Sequence, residues 1–183
     1  MPMPDELESD LLERFARGDQ TAFEAIFHQY QAEVYRLIVR IVRDRSAAED
    51  IVVEAFWRAY RGRGRFDPSL GFGGWMRRIA TNVARDYLKA ARRRFDWPSP
   101  GDESGCESAA PRDSDPKLKE SVEFAFRKLP PKLQVVATLV LIEERSYEEI
   151  AEALDLPVGT IKSRVFRARL ALRKELARLG VHQ

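Results

Sequence analysis

Residues 146–175, SYEEIAEALDLPVGTIKSRVFRARLALRKE, carry the clearest structural pattern in the chain. Ser146 and Glu149 have the spacing of a capping box, which predicts that a short helix begins there. Pro157 and Gly159 interrupt this helix, and an apolar stripe at helical spacing resumes at Ile161. Two helices joined by a tight turn form a helix-turn-helix, whose second helix can enter the major groove of DNA.

The second predicted helix is strongly basic. Residues 160–183 contain seven basic side chains and one acid. A solvated helix in an ordinary helical hairpin normally mixes its charges, so a surface of one sign favours a polyanionic partner. The candidates for contacts with bases or phosphates are its early polar residues, namely Thr160, Lys162, Ser163, Arg164 and Arg167.

A second basic block lies at residues 61–95, with ten basic side chains and two acids. A helix is predicted from Phe72 to about Arg94, with its apolar residues on one side. Within about 40° of one line on the other side, by the 3.6-residue period, lie Arg78, Asn82, Arg85, Lys89 and Arg92. In the loop before this helix, Arg65 stands beside Phe66, a combination that can hold phosphates and stack on a base. Two basic blocks indicate two contacts with nucleic acid.

Three further helices are predicted before this loop. The first ends near Gly18, and the S/T-x-x-E patterns at Thr21 and Ser46 predict capping boxes for the second and third. In the third helix Ile51 is expected to pack inward. Asp50, Glu54 and Arg58 form an exposed line at i, i+4 spacing.

The stretch DWPSPGDESGCESAAPRDSDP, residues 96–116, lacks periodicity and is rich in proline, serine, glycine and acids, which predicts a flexible linker. The expected organisation is a unit at 1–95, a linker at 96–117 and a second unit at 118–183. Two more helices are expected before the helix-turn-helix. No segment alternates convincingly at period two, so the predicted fold class is all-α, in two small helical bundles.

Composition excludes several classes of function. The chain has no run of eighteen apolar residues and no signal-peptide layout, so we expect a cytoplasmic protein that does not insert into a membrane. A single cysteine, Cys106, excludes an intrachain disulfide, and two isolated histidines do not predict a metal or cofactor site. No carboxylate pairs with a histidine or cysteine motif. No catalytic residue is therefore predicted, and a nuclease or nucleotidyltransferase is disfavoured.

Four motifs, in this order, resemble the extracytoplasmic-function class of the bacterial sigma-70 family. They are DRSAAEDIVVEAFWRAY, FDPSLGFGGWMRRIATNVARDYL, LPPKLQVV and SYEEIAEALDLPVGTIKSRVFRARLALR. The resemblance covers about residues 21–95 and 121–178. It implies a non-catalytic subunit that binds core RNA polymerase, reads the minus-35 promoter element as duplex and reads the minus-10 element as partly opened DNA.

The resemblance also implies roles for individual residues. Polymerase docking falls to Asp50, Ile51, Glu54, Phe56 and Arg58, in a helix that carries Val53 where the family often has glutamine. Minus-10 recognition falls to Arg65, Phe66, Arg78, Asn82, Arg85, Lys89 and Arg92, and minus-35 recognition to the polar residues at 160–167 named above. An anti-sigma factor is an expected partner. The alternative is a helix-turn-helix regulator that works without polymerase, but no remaining segment offers a dimerisation or ligand-sensing element.

Overall fold

The computed structural model describes residues 4–95 and 116–181. Its eight α-helices are α1 (Pro4–Ala16), α2 (Gln20–Val42), α3 (Arg45–Gly62), α4 (Phe72–Phe95), α5 (Pro116–Lys128), α6 (Pro131–Leu141), α7 (Tyr147–Leu154) and α8 (Val158–Arg178). Two 3-10 turns, Arg63–Arg65 and Pro68–Leu70, connect α3 to α4. Neither described range contains a strand, and the all-α prediction is confirmed. Most of the predicted linker, residues 96–115, lies outside the described residues.

The first residues of α7 match the predicted capping box. The backbone N–H of Glu149 donates to Oγ of Ser146 at 3.2 Å, and the backbone N–H of Ser146 donates to Oε2 of Glu149 at 2.9 Å. Asp155 ends this helix in the left-handed conformation, with φ of 53°. The turn to α8 then passes through Pro157, whose fixed φ suits the residue before a helix.

The capping boxes predicted at Thr21 and Ser46 are wrong. Helices α2 and α3 begin earlier, because Asp19 and Asp44 cap them. Oδ1 of Asp19 accepts a hydrogen bond from the backbone N–H of Ala22 at 3.1 Å, and Oδ1 of Asp44 accepts one from the backbone N–H of Ala47 at 3.0 Å. An ionised carboxylate also interacts with the positive end of the helix dipole, which a hydroxyl does far less. The Ala22 N–H and the guanidinium of Arg14 hold the pKa of Asp19 below its ordinary value.

Helices α1–α4 enclose an aromatic core. The ring of Phe15 lies 5.5 Å from Phe72, 5.8 Å from Phe66 and 6.2 Å from Trp75, mostly in edge-to-face geometry. Such aromatic pairs contribute about 0.5–1.5 kcal/mol each beyond the burial of their area. This cluster fixes the α3–α4 connection against the body of the first unit.

Helices α5–α8 form the second unit, in which α8 packs against α5, α6 and α7. The buried residues of α8 are Ile161, Val165, Ala168 and Leu172, which recur at helical spacing. The opposite side of α8 is therefore directed away from its own unit.

The two units pack directly against each other. Helix α6 contacts α2 and α4, and α7 contacts α4. Their side chains Val136, Leu139, Ile150 and Leu154 belong to one continuous buried cluster with the core of α2 and α4. The sequence pattern predicted two bundles, and the structure adds an extensive apolar contact between them.

Candidate nucleic-acid and polymerase interfaces

The exposed side of α8 carries an ordered set of polar groups. Oγ of Ser163 donates to the carbonyl oxygen of Thr160 at 3.0 Å. The guanidinium of Arg167 reaches back one turn, donating from Nε to the Ser163 carbonyl oxygen and from Nη2 to Ser163 Oγ, both at 3.3 Å. These local bonds hold Arg167 against the helix while leaving other guanidinium donors directed outward. Lys162 is also exposed.

Arg164 lies on the flank of this exposed side and is partly buried. Burial lowers the pKa of Arg164, and the like charges of Arg167 and Arg85 act in the same direction. The group stays protonated at neutral pH because a guanidinium titrates far above that range. Arg164 thus brings positive charge to the place where α8 approaches α4.

Two apolar residues on α8 were missed when only polar residues were considered. Phe166 is 70% exposed and Leu170 is 59% exposed. At 100° per residue both fall on the side opposite the buried stripe, together with Ser163. A helical wheel drawn from the sequence could have found them, since the buried stripe was already recognised there.

The predicted basic line on α4 is present, and its cations contact the protein itself. Nη2 of Arg78 lies 3.6 Å from Oδ2 of Asp155, and Nη1 of Arg92 donates to the carbonyl oxygen of Leu129 at 3.4 Å. Both partners belong to the second unit. The structure therefore places part of this line at the junction of the two units, whereas the sequence pattern predicted a line that faces nucleic acid.

Arg85 and Lys89 share one acidic neighbour. Nη2 of Arg85 and Nζ of Lys89 lie 3.6 and 3.8 Å from Oδ1 of Asp86. The side chain of Arg85 is 26% exposed, and its Nε is buried without a hydrogen-bond partner. Both cations are partly exposed and lie outside the apolar core. Asn82 lies on the same side and is partly buried.

Phe66 occupies a different position from the one expected. It is 7% exposed, and its ring centroid lies 4.9 Å from that of Trp75. The two 3-10 turns shorten the loop and direct this ring into the aromatic core, so it does not present a face to a base in this structure. Arg65 is exposed, beside Arg58 and Arg61 along a cleft of about 440 Å³.

The most exposed large apolar residue of the α3–α4 connection is Leu70, at 79%. It ends the second 3-10 turn, which Asp67 caps by accepting from the N–H and the hydroxyl of Ser69 at 2.9 and 2.7 Å. The hydroxyl and backbone N–H of Ser69 lower the pKa of Asp67. A capped turn thus displays an apolar tip next to the basic line of α4, which its position in a polar, glycine-rich loop did not reveal.

The exposed side of α3 combines charged and apolar groups. Nε of Arg58 donates to Oε1 of Glu54 at 2.6 Å, and Asp50 is exposed one turn before Glu54. Beside them Val53 is 64% exposed and Trp57 is 52% exposed. By contrast, the two docking residues Ile51 and Phe56 are buried. Their assignment from the resemblance does not fit a surface role, because both face the core from the opposite side of the helix.

No described helix has the length and apolar character needed to cross a bilayer.

Comparison with protein families gives two matches. The family described as Sigma-70 region 2 matches residues 26–94, and the family described as Sigma-70, region 4 matches residues 119–172. The first match contains α3, the α3–α4 connection and nearly all of α4. The second contains the helix-turn-helix. Together the two matches span more than half of the chain.

Full-length relatives agree with these matches. The RNA polymerase sigma-H factor of Pseudomonas aeruginosa is 37% identical, over 93% of this chain and 94% of the relative. The ECF RNA polymerase sigma-E factor of Escherichia coli strain K12 is 38% identical, over 88% of this chain and 90% of the relative.

Two solved structures share the fold. One is CnrH in complex with the cytosolic domain of CnrY, with 24% identity, a TM-score of 0.62 and coverage of 93% of this chain and 97% of that chain. The other is the sigma factor RpoE in complex with the anti-sigma factor NepR from Bartonella quintana, with 23% identity, a TM-score of 0.62 and coverage of 85% and 96%. The family matches and the relatives show that the chain belongs to the sigma-70 family, as an extracytoplasmic-function sigma factor that directs RNA polymerase to promoters.

Proposed function

We propose that this sigma factor divides promoter initiation among three helical surfaces. The exposed side of α3 docks on core polymerase, the basic line of α4 with its preceding loop serves the minus-10 element, and α8 reads the minus-35 element. In this proposal residues 1–95 and 118–183 are the two working domains, joined by 96–117. The observation that carries it is the pair of cationic helical faces on different units, each lying opposite a buried face.

Minus-35 recognition requires readout of intact duplex in the major groove. The guanidinium of Arg167 can donate two hydrogen bonds to a guanine, while Phe166 can contact the methyl group of a thymine. Thr160, Lys162 and Arg164 stand nearer the edges of this surface and are suited to phosphates. Ser163 holds the guanidinium of Arg167 in place by accepting two hydrogen bonds from it, and its exposed hydroxyl can also contact DNA.

Minus-10 recognition requires contact with strands that have separated. Arg85, Lys89 and Arg92 supply charge for the phosphates, and Arg78 and Asn82 extend the same line. Phe66 supports the loop from within the core. Leu70 then becomes the apolar group best placed to contact an unstacked base.

Polymerase docking on α3 fits the composition of protein interfaces. Val53 and Trp57 form an apolar centre, with charged groups of Asp50, Glu54 and Arg58 around it. A buried aromatic anchor within a polar rim is the common arrangement of binding hot spots. Ile51 and Phe56 support this surface from the core side.

The partner set and location follow from the family. We propose that the protein acts in the cytoplasm, has no catalytic residues of its own, and is held inactive by an anti-sigma factor. The fold relative from Bartonella quintana is bound to such a protein in its solved structure.

The test is in vitro transcription by core polymerase on a library of randomised promoters, with and without the protein. We expect transcripts that depend on the protein and come from templates sharing two elements. The free chain should bind duplex DNA weakly. Tight binding to a palindrome by a dimer, with no effect on transcription, would instead support a regulator that works without polymerase.

A further inference from the structure

A cleft at the C-terminal end of α3 brings three arginines together. Its volume is about 440 Å³, and its lining consists of Arg58, Arg61, Gly62, Gly64 and Arg65. Sites for small molecules usually measure about 300–1,000 Å³. The cleft is therefore large enough to hold a compact ligand against the end of the helix.

The three guanidinium groups differ in what they already bind. Two carboxylates hold Arg58, since its Nε donates to Oε1 of Glu54 at 2.6 Å and its Nη1 lies 3.7 Å from Oδ2 of Asp86. Among the residues that the structure describes, the exposed side chains of Arg61 and Arg65 form no ion pair or hydrogen bond. A guanidinium can bind a phosphate through two parallel hydrogen bonds. The cleft thus retains donors for an anion.

The middle arginine of the sequence RGRGR, residues 61–65, lies outside the cleft. Arg63 places its guanidinium 4.4 Å from the ring centroid of Tyr60 and donates from Nη1 to the Tyr60 carbonyl oxygen at 2.8 Å. This side chain contributes to the packing of α3. The two outer arginines are left to face the same cleft.

The two glycines of the cleft are not required by the fold. Neither has a left-handed backbone, and φ of Gly62 is −86°. A Cβ at Gly64 would meet no heavy atom within 4 Å, and one at Gly62 would make an ordinary contact with Cζ2 of Trp75 at 3.7 Å. Glycine also destabilises a helical segment relative to alanine. What the missing side chains provide is room for a ligand to approach the backbone between the arginines.

The shape of this charge distribution favours a compact ligand over a strand of DNA. The cations of α4 from Arg78 to Arg92 extend over about 20 Å at 1.5 Å per residue, which suits the successive phosphates of a strand. At the end of α3, by contrast, three cations line a single volume. Each phosphate of DNA carries one negative charge, whereas a diphosphate or triphosphate carries several charges on adjacent phosphorus centres.

We propose that the cleft lined by Arg58, Arg61 and Arg65 binds a polyphosphate group, supplied by a nucleoside polyphosphate or by a short inorganic polyphosphate. This site is additional to the three surfaces of the proposed function. Arg58 and Arg65 also belong to the docking and minus-10 surfaces. The test therefore changes Arg61 and Gly64, which none of those surfaces uses.

The experiment is a calorimetric titration of the full chain with inorganic tripolyphosphate, ATP, GTP and orthophosphate, each at low and raised salt. The variants are Arg61→Ala, which removes one cation, and Gly64→Leu, which keeps every charge and fills the cleft. Arg127→Ala is the matched control for charge, because Arg127 is an exposed arginine on α5. Gly159→Leu is the control for volume, because a Cβ at Gly159 would also meet nothing within 4 Å.

We expect the parent chain to bind tripolyphosphate or a nucleoside triphosphate at least about tenfold more tightly than orthophosphate, because several charges engage several guanidinium groups. Arg61→Ala should weaken this binding about tenfold, as expected for the loss of one charged hydrogen-bonding partner. Gly64→Leu should weaken it by as much without lowering the unfolding temperature. Both controls should stay within about twofold of the parent chain, since their positions are remote and screened by salt.

The order of the ligands identifies the source of the polyphosphate. Nucleoside triphosphates that bind more tightly than tripolyphosphate would identify a nucleotide, and the reverse order would identify an inorganic polyphosphate; either order supports the site. No binding tighter than that of orthophosphate, or an equal loss in Arg61→Ala and Arg127→Ala, would overturn it.

A final arm distinguishes this ligand from DNA. Gly64→Leu should bind a single-stranded minus-10 oligonucleotide within about twofold of the parent chain, because it leaves every cation in place. If this variant lost single-strand binding as severely as tripolyphosphate binding, the cleft would hold DNA and the polyphosphate proposal would be overturned. The titrations with small ligands involve neither polymerase nor promoter, so failure of the proposed function is detected separately in transcription.

Discussion

Helices α4 and α8 present the same chemistry in two different settings. Each carries a basic side opposite a buried side, but the cations of α4 contact Asp86, Asp155 and the carbonyl oxygen of Leu129. The polar groups on the outward side of α8 bond mainly within their own helix, where Arg167 bonds to Ser163. Charge periodicity thus predicts a surface for nucleic acid, whereas the exposure of its cations depends on how the units pack.

The largest effect is expected at the exposed side of α8. Arg167→Ala should cost about 1–3 kcal/mol of duplex binding and relax sequence preference at one position, because a base contact is lost. Fluorescence anisotropy on selected and singly substituted minus-35 duplexes measures both. The control is Arg178→Ala on the same helix, where the arginine pairs with Glu175 at 3.1 Å. A loss that is equal for every sequence would assign Arg167 to a phosphate.

A smaller effect is expected at Phe166. If its ring covers a thymine methyl group, replacing that thymine by deoxyuridine should cost the parent protein about 0.8 kcal/mol, the value for one buried carbon. The Phe166→Ala variant should not respond to this replacement. Each thymine of a selected minus-35 site is replaced in turn, and Leu179→Ala serves as the control. If the affinity of the parent protein did not change at any replaced thymine, the methyl contact would be excluded.

The basic line of α4 should respond to salt concentration more than to DNA sequence. Arg85→Ala and Lys89→Ala should each weaken binding to single-stranded minus-10 DNA for all sequences and reduce the slope of log K against log salt by up to about one unit, if each residue holds one phosphate. The measurement is a salt titration of the affinity. Arg17→Ala is the control, since that arginine pairs with Glu13 on α1 at 2.9 Å. An unchanged slope would remove the phosphate role.

The smallest effect concerns α7, which packs against both helices. The backbone N–H and hydroxyl of Ser146 lower the pKa of Glu149 from its ordinary 4.5. A lowered pKa in the folded state means that the carboxylate stabilises folding above that ordinary value and that this contribution disappears as the pH falls through the lowered one. Glu149→Gln should therefore flatten the pH dependence of the unfolding temperature as the pH falls below about 4.5. Thermal unfolding followed by circular dichroism tests this, and an unchanged pH dependence would contradict it.

Local patterns predicted the helices well and predicted the contacts between them poorly. The Ser146–Glu149 capping box needs only neighbouring residues, and it was found. The caps of α2 and α3 were misplaced because two patterns lay within two residues of each other, and an aspartate outcompeted a hydroxyl. The loop pattern suggested that Phe66 stacks on a base, because its position in the aromatic core depends on Phe15 of α1 and on Phe72 and Trp75 of α4.

The contact between the two units could not be predicted from the sequence either, because it joins residues that are far apart in the chain. Gln134 donates from Nε2 to the carbonyl oxygen of Ile41 at 2.9 Å. It stands in the motif LPPKLQVV between the apolar residues Leu133 and Val135, and nothing local connects it to that carbonyl group. Ile51 is instructive in another way. Helical spacing indicated that Ile51 packs inward, whereas the resemblance implied a role in polymerase docking. The structure buries the side chain, in agreement with the spacing.

The division of labour between α4 and α8 is tested most directly by mapping where each helix acts on a promoter. Core polymerase is assembled with the parent chain, with Arg167→Ala or with the Arg85→Ala, Lys89→Ala double variant. Complexes are probed by nuclease footprinting and by permanganate, which modifies unpaired thymines. We predict that Arg167→Ala weakens protection at the minus-35 element, while the double variant keeps that protection and loses reactive thymines near minus-10. If Arg167→Ala and the double variant both lost their signal at the same promoter element, this division between α4 and α8 would be contradicted.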